Sequence, residues 1–141
     1  MSNSRTFSAR LDSAVAGRLD ERSAKTGQSR SRLVERYLDE GMRIDEHPGI
    51  VFRDGPAGRR AALGSGPDVW EVMSVIRASP EPGPAAIAHA AGWLNLTQGQ
   101  VQIAVRYYAA FPAEVDARIA SSEQLADEAE AVWNKEQSAL G

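Results

Sequence analysis

The chain opens on a strict alternation. Phe7, Ala9 and Leu11 are apolar, and Thr6, Ser8 and Arg10 are polar. A period of two sends the two sets to opposite faces of a strand. Ala9 is small for a core position, which weakens packing there but keeps the alternation. Asp12 follows, and its carboxylate can accept the orphan amides of a helix start. Leu11, Val15 and Leu19 then continue one face at four-residue spacing, which predicts a helix. Gly27, tolerant of positive φ, ends it. Ser29 offers a second cap, and Leu33, Val34, Tyr37, Leu38 and Met42 form the apolar stripe of a second helix. The order is strand, helix, turn, helix.

One strand has no partner within such a unit. A segment this short also buries too little surface to fold alone. Both problems disappear if two chains pair, so that two strands make an antiparallel ribbon and four helices share one core. The pattern therefore predicts a homodimer.

The helical pattern stops around Asp45 to Gly49, because the residue before Pro48 avoids the helical region. Ile50-Val51-Phe52 is a short β-prone run. Asp54 to Gly58 is dense in turn residues, and Arg59 to Leu63 returns as a second strand. Asp68 caps a helix bearing Val69, Val72, Met73 and Ile76. After the proline-rich break Ser79 to Pro84, a short alanine-rich helix runs to about Ala91, closed by Gly92, with Trp93 to Leu96 as a turn. Thr97 caps a longer helix with Val101, Val105 and Tyr108 inward. Pro112 opens a last helix with sparse apolar positions at Val115, Ile119, Leu125 and Val132. The domains expected are thus 1–45 and 46–141.

Residues 84–91 and 97–110 have the size and turn of a helix-turn-helix. Gln98, Gln102 and Arg106 fall four apart on one face of its second helix. Glutamine can bond adenine N6 and N7 bidentately, so this is a candidate second DNA-reading face. The plainer reading is the hydrophilic side of a small helical domain.

Charge sharpens the picture. The net charge is −3, but residues 1–44 carry +3, residues 45–112 carry −1 and residues 113–141 carry −5. Such asymmetry fits a basic binding end and an acidic tail. A polar strand face of Thr6, Ser8 and Arg10 suits a major groove, which admits a two-stranded ribbon. Arg10 can donate two bonds to guanine O6 and N7, while the hydroxyls of Thr6 and Ser8 discriminate less sharply. Ser29, Arg30, Ser31 and Arg32 sit at a helix start, where free amides and two guanidiniums suit phosphate.

The residues from Thr6 to Leu11, Asp12, the turn Thr26-Gly27-Gln28-Ser29 and the stripe from Leu33 to Met42 together resemble ribbon-helix-helix repressors of the CopG, MetJ and Arc type. That resemblance implies a mainly α fold with a short β component: an N-terminal ribbon-helix-helix dimer, then a small hairpin and helical domain. It implies double-stranded operator DNA as the partner. A second resemblance rests on His47-Pro48-Gly49-Ile50 with Phe52, Gly58-Arg59-Arg60, Val69-Trp70-Glu71-Val72, and Gln100-Val101 with Tyr107-Tyr108. These are similar to a small helical domain of VapB-like bacterial antitoxins, which implies a PIN-type ribonuclease toxin as partner and a self-regulated operon. VapB-like tails often place a basic residue in the toxin's metal site. Here Lys135 is the only lysine or arginine after Arg118, which departs from that pattern.

No catalytic grouping stands out. There is no cysteine, which removes disulfides and thiolate zinc sites. The two histidines, His47 and His89, lack the spaced carboxylates or cysteines of a metal site. Gly64-Ser65-Gly66 lacks the residues of a dinucleotide or phosphate loop. No enzyme activity, metal or cofactor is expected. No apolar run approaches the roughly 20 residues of a membrane span, and Met1 to Arg5 shows no hydrophobic signal, so a cytoplasmic location is expected. Two alternatives remain open. One is an interaction module whose ribbon only dimerises. The other is a repressor with an effector held by Trp70, Trp93, Tyr107 or Tyr108, which otherwise serve as core residues.

Overall fold

A computed structural model describes residues 3–141, so Met1 and Ser2, which the expected first domain includes, lie outside the described residues. The fold is mainly helical, with six helices and one two-stranded antiparallel sheet among the described residues. The chain divides into two compact units, Met1–Met42 and Arg43–Gly141.

The first unit holds α1 (Ser13–Thr26) and all but the end of α2 (Arg30–Glu46). Asp12 caps α1 as its carboxylate requires: Oδ1 accepts from the Ala14 amide at 2.9 Å. Gly27 ends α1 at φ 72°, a left-handed position that a side chain resists, and its amide returns to the Ser23 carbonyl. Ser29 starts α2, its Oγ accepting from the Arg32 amide and its carbonyl from the Leu33 amide. Residues 3–12 form no strand within one chain.

In the second unit, β1 (Ile50–Gly55) and β2 (Gly58–Leu63) make a hairpin with Ile50 opposite Leu63 and Gly55 opposite Gly58. Both strands reach further toward the turn than the expected runs, because Pro56-Ala57 suffices as the loop. Arg118 braces the hairpin end, donating to the carbonyls of Ala57 and Arg59. Then come α3 (Val69–Arg77), α4 (Pro84–Leu94), α5 (Gln98–Ala110) and α6 (Pro112–Ala139). Asp68 opens α3 through a reciprocal box with Glu71, and Thr97 opens α5 through one with Gln100.

Three expectations need correction. Gly92 does not close α4. The helix continues through Trp93 and Leu94, and Asn95 ends it at φ 55°, since asparagine tolerates the left-handed position. In α5 the buried line is Val101, Ala104 and Tyr107, while Val105 and Tyr108 are half-buried. The inward side follows the small Ala104, which lets neighbouring helices approach closely. In α6 only Val115 and Ile119 are buried; Leu125 and Val132 are exposed. The helix outruns the core it starts on.

That core joins Ile50, Ala61 and Leu63 of the hairpin to Val69, Val72 and Met73 of α3, Ala90 and Ala91 of α4, the α5 line, and the start of α6. His47, expected in a linker, packs edge-on against the rings of Tyr107 and Phe111.

Candidate nucleic-acid interface

The first unit shows its apolar residues to solvent. Phe7 is 82% exposed, Leu38 54% and Met42 57%, and Leu11 and Val15 are also open. Leu11, Val15, Leu19, Val34, Tyr37 and Leu38 line a groove of about 580 Å³. Arg18, Glu21 and Arg22 form its rim. Of the residues in α1 none is buried, and in α2 only Leu33 is. A monomer that leaves this much contiguous apolar surface in water marks an interface.

The predicted base readers Thr6, Ser8 and Arg10 are all exposed. At the start of α2, Ser31 and Arg32 are exposed as well. Two of the predicted phosphate contacts are partly engaged. Ser29 uses an Oγ lone pair on the Arg32 amide. Arg30 meets Asp20 at 3.1 Å, with both side chains mostly exposed. Asp20 is a site residue that sequence reasoning missed. It lies ten positions before Arg30 and on another helix, so no local spacing announces it. Arg22, whose Nε donates to the Tyr37 hydroxyl at 3.3 Å, escaped for the same reason.

Residues 5–42 match the family model described as ribbon-helix-helix protein, CopG family. The match spans the alternating segment, α1 and most of α2. No curated protein and no solved structure matches the chain. Residues 5–42 are thus similar to ribbon-helix-helix proteins, a family of DNA-binding regulators that act on DNA as dimers.

The second unit contains two further surfaces. On α5, Gln98 and Arg106 are exposed and Gln102 is half-buried, all away from the Val101–Ala104–Tyr107 side. On α6, Leu125, Val132 and Trp133 are exposed beyond the last buried residue, Ile119. Of the aromatics considered as effector contacts, Tyr107 is fully buried, and Trp70 and Tyr108 pack on the core. Trp93 instead stands 74% exposed, stacked on His89 at 6.2 Å.

The cations of the second unit are largely occupied by its own structure. Arg53 donates to the carbonyls of Leu63, Gly64 and Gly66. Arg60 lies 2.6 Å from Asp68. Arg77 pairs with Asp116 and donates to the Tyr108 hydroxyl, and the Tyr108 bond leads the upward shift of its guanidinium pKa. Arg43 donates to Tyr107 and Glu114. Burial opposes its charge, but those two bonds outweigh that and hold its pKa above the ordinary arginine value. Among the described residues no helix is long and apolar enough to cross a membrane.

Proposed function

We propose that the protein is a homodimeric, sequence-specific DNA-binding repressor. The observation that carries this reading is the open apolar face of the first unit, on a segment matching a family that binds DNA as dimers. Two copies would cover Leu11, Val15, Leu38 and Met42 with each other and pair their strands into a ribbon. The ribbon would enter the major groove with Thr6, Ser8 and Arg10 toward the bases. Ser29 to Arg32 of each copy would then lie against phosphates, fixing register without reading sequence. Such a protein works beside the chromosome, in the cytoplasm. The test is a mobility shift with DNA from upstream of its own gene. A shift at low salt that weakens steeply as salt rises is expected, because phosphate contacts release counterions. No shift at low salt would sink the proposal.

A second reading adds to the first: the repressor is the antitoxin of a toxin–antitoxin pair and regulates their shared operon. The free part of α6 favours it. Leu125, Val132 and Trp133 are exposed there beside Glu123, Asp127, Glu128, Glu130 and Glu136. Apolar side chains left uncovered on a helix in this way suit a groove on another protein. A neighbouring gene product of small ribonuclease type that co-purifies, and is lost on Leu125→Asp or Trp133→Asp, supports it. A pull-down that recovers no such protein counts against it.

A further inference from the structure

We infer that α4 and α5 form a second double-stranded DNA contact, outside the base pairs covered by the N-terminal ribbon. The inference goes beyond the ribbon's role and rests on the protein being brought to DNA by that ribbon.

The first observation is shape. α4 and α5 pack together and are joined by Asn95-Leu96-Thr97, a turn of helix-turn-helix length that Asn95 enters at φ 55°. In that arrangement the first helix crosses the backbone and the second presents side chains to the major groove.

The second is the chemistry of the outward face of α5. Gln98 and Gln102 sit one turn apart, with Arg106 a turn further on. Gln100 is spent: its Oε1 accepts from the Thr97 amide and its Nε2 donates to Ser65. Among the described residues no bond engages the side chains of Gln98 or Gln102. Each can therefore offer the donor and acceptor pair that matches adenine, and Arg106 the fork that matches guanine.

The third is charge. The chain has 19 Asp and Glu residues, yet residues 82–113 contain none. Both helices and their turn lie inside that stretch. A solvated face in an acidic protein commonly carries carboxylates, whereas a polyanion repels most of them, and the one charged side chain of this stretch is the cation Arg106. The fourth is the start of α4. Its cap position is Gly83 and no side chain caps it; Pro84 has no amide hydrogen and the Ala86 amide bonds the Gly83 carbonyl, which leaves the Ala85 amide to meet a phosphate oxygen. None of these features would point to DNA alone. Together they put an uncapped helix start, a tight turn and a base-matching face within one carboxylate-free stretch of the chain.

The experiment is hydroxyl-radical footprinting of the full protein, with affinities measured on a long duplex and on one cut to the ribbon's own base pairs. A footprint longer than the ribbon can cover is expected. Gln98→Ala/Gln102→Ala/Arg106→Ala should shorten it to the ribbon site and weaken binding to the long duplex about 5- to 150-fold for each base-matched pair lost. Trimming the DNA and changing the protein remove the same contact, so their effects should not add. A melting midpoint close to that of the unchanged protein shows that the three substitutions left the fold intact. A footprint confined to the ribbon site overturns the inference. So does an extended footprint that survives the triple variant, since another element would then make the contact. Absence of any DNA binding by the unchanged protein would instead refute the repressor proposal.

Discussion

The hydroxyl of Tyr107 donates to Glu114 at 2.7 Å and accepts from Arg43 at 2.8 Å. Tyr107 is the largest fully buried side chain among the described residues. Arg43 lies over the Phe111 ring, 3.9 Å from its centre. One phenol thus ties the end of α2 to α5 and α6 inside the second unit.

Tyr107→Phe keeps the ring and removes both bonds. It should cost about 0.5–1.5 kcal/mol of stability, the range for a lost hydrogen bond, because Arg43 and the exposed Glu114 still bond each other. The pH dependence has a definite sign. Burial, helped by the bond to Glu114, pushes the Tyr107 pKa well above its ordinary value of 10, against the pull of Arg43. In the unfolded chain the phenol ionises near that ordinary value, so the unfolded state gains stability first as pH rises. The stabilising contribution is therefore complete below about pH 10 and is lost above it. Denaturant titrations from pH 8 to 11 should show a decline that is shallower in Tyr107→Phe. Equal slopes would mean that the phenol ionises freely in the folded protein.

Leu38→Glu tests the open face of the first unit. In one chain Leu38 is 54% exposed, so a glutamate there loses little if the protein is monomeric. If a second copy covers it, the variant buries an unpaired charge, which costs far more than the leucine contact itself. Sedimentation should show a dimer for the unchanged protein and a monomer for the variant, and DNA binding should disappear with the dimer. The melting temperature of the unchanged protein should rise with concentration. A monomer before and after the change would refute the shared core.

Arg10→Ala separates base reading from backbone attraction. Loss of a bidentate pair to guanine should cost about 1–3 kcal/mol on the operator and less on random DNA. Equal losses on both would place Arg10 on phosphate.

The sequence was readable wherever the deciding signal is local. Asp12, Gly27, Asp68 and Thr97 act through the backbone next to them, and each bounds a helix as its chemistry predicts. The alternation from Thr6 to Leu11 is plain in the sequence, but those residues form no strand within one chain. The signal failed where distant packing decides. Nothing local to α5 says that Ala104 and Tyr107, rather than Val105 and Tyr108, face the core. Leu125 and Val132 keep a core-like spacing although no core remains beside them. At the candidate interface Thr6, Ser8 and Arg10 are exposed, but so are Phe7, Ala9 and Leu11 between them, so exposure does not separate the two sets, and the contact between Asp20 and Arg30 joins two helices and could not be seen in either.

That contact yields a prediction of its own. Arg30 and Asp20 are mostly exposed at 3.1 Å, and such a pair adds at most about 1 kcal/mol to stability. Asp20→Asn should therefore leave the melting temperature nearly unchanged. On DNA the consequence is larger. The carboxylate both occupies Arg30 and repels the phosphate that Arg30 would grip. Removing it should tighten binding on every sequence alike, because phosphate contacts carry no sequence information. Arg30→Ala and Arg32→Ala should weaken binding uniformly, and each lost phosphate contact should lower the slope of log affinity against log salt by about 0.9. A dimer loses each contact twice, so the drop per substitution should approach double that value. Affinities for operator and random DNA across a salt series supply every term. If the slope does not change in Arg30→Ala, or if Asp20→Asn tightens only the operator, the start of α2 does not lie on the phosphate backbone.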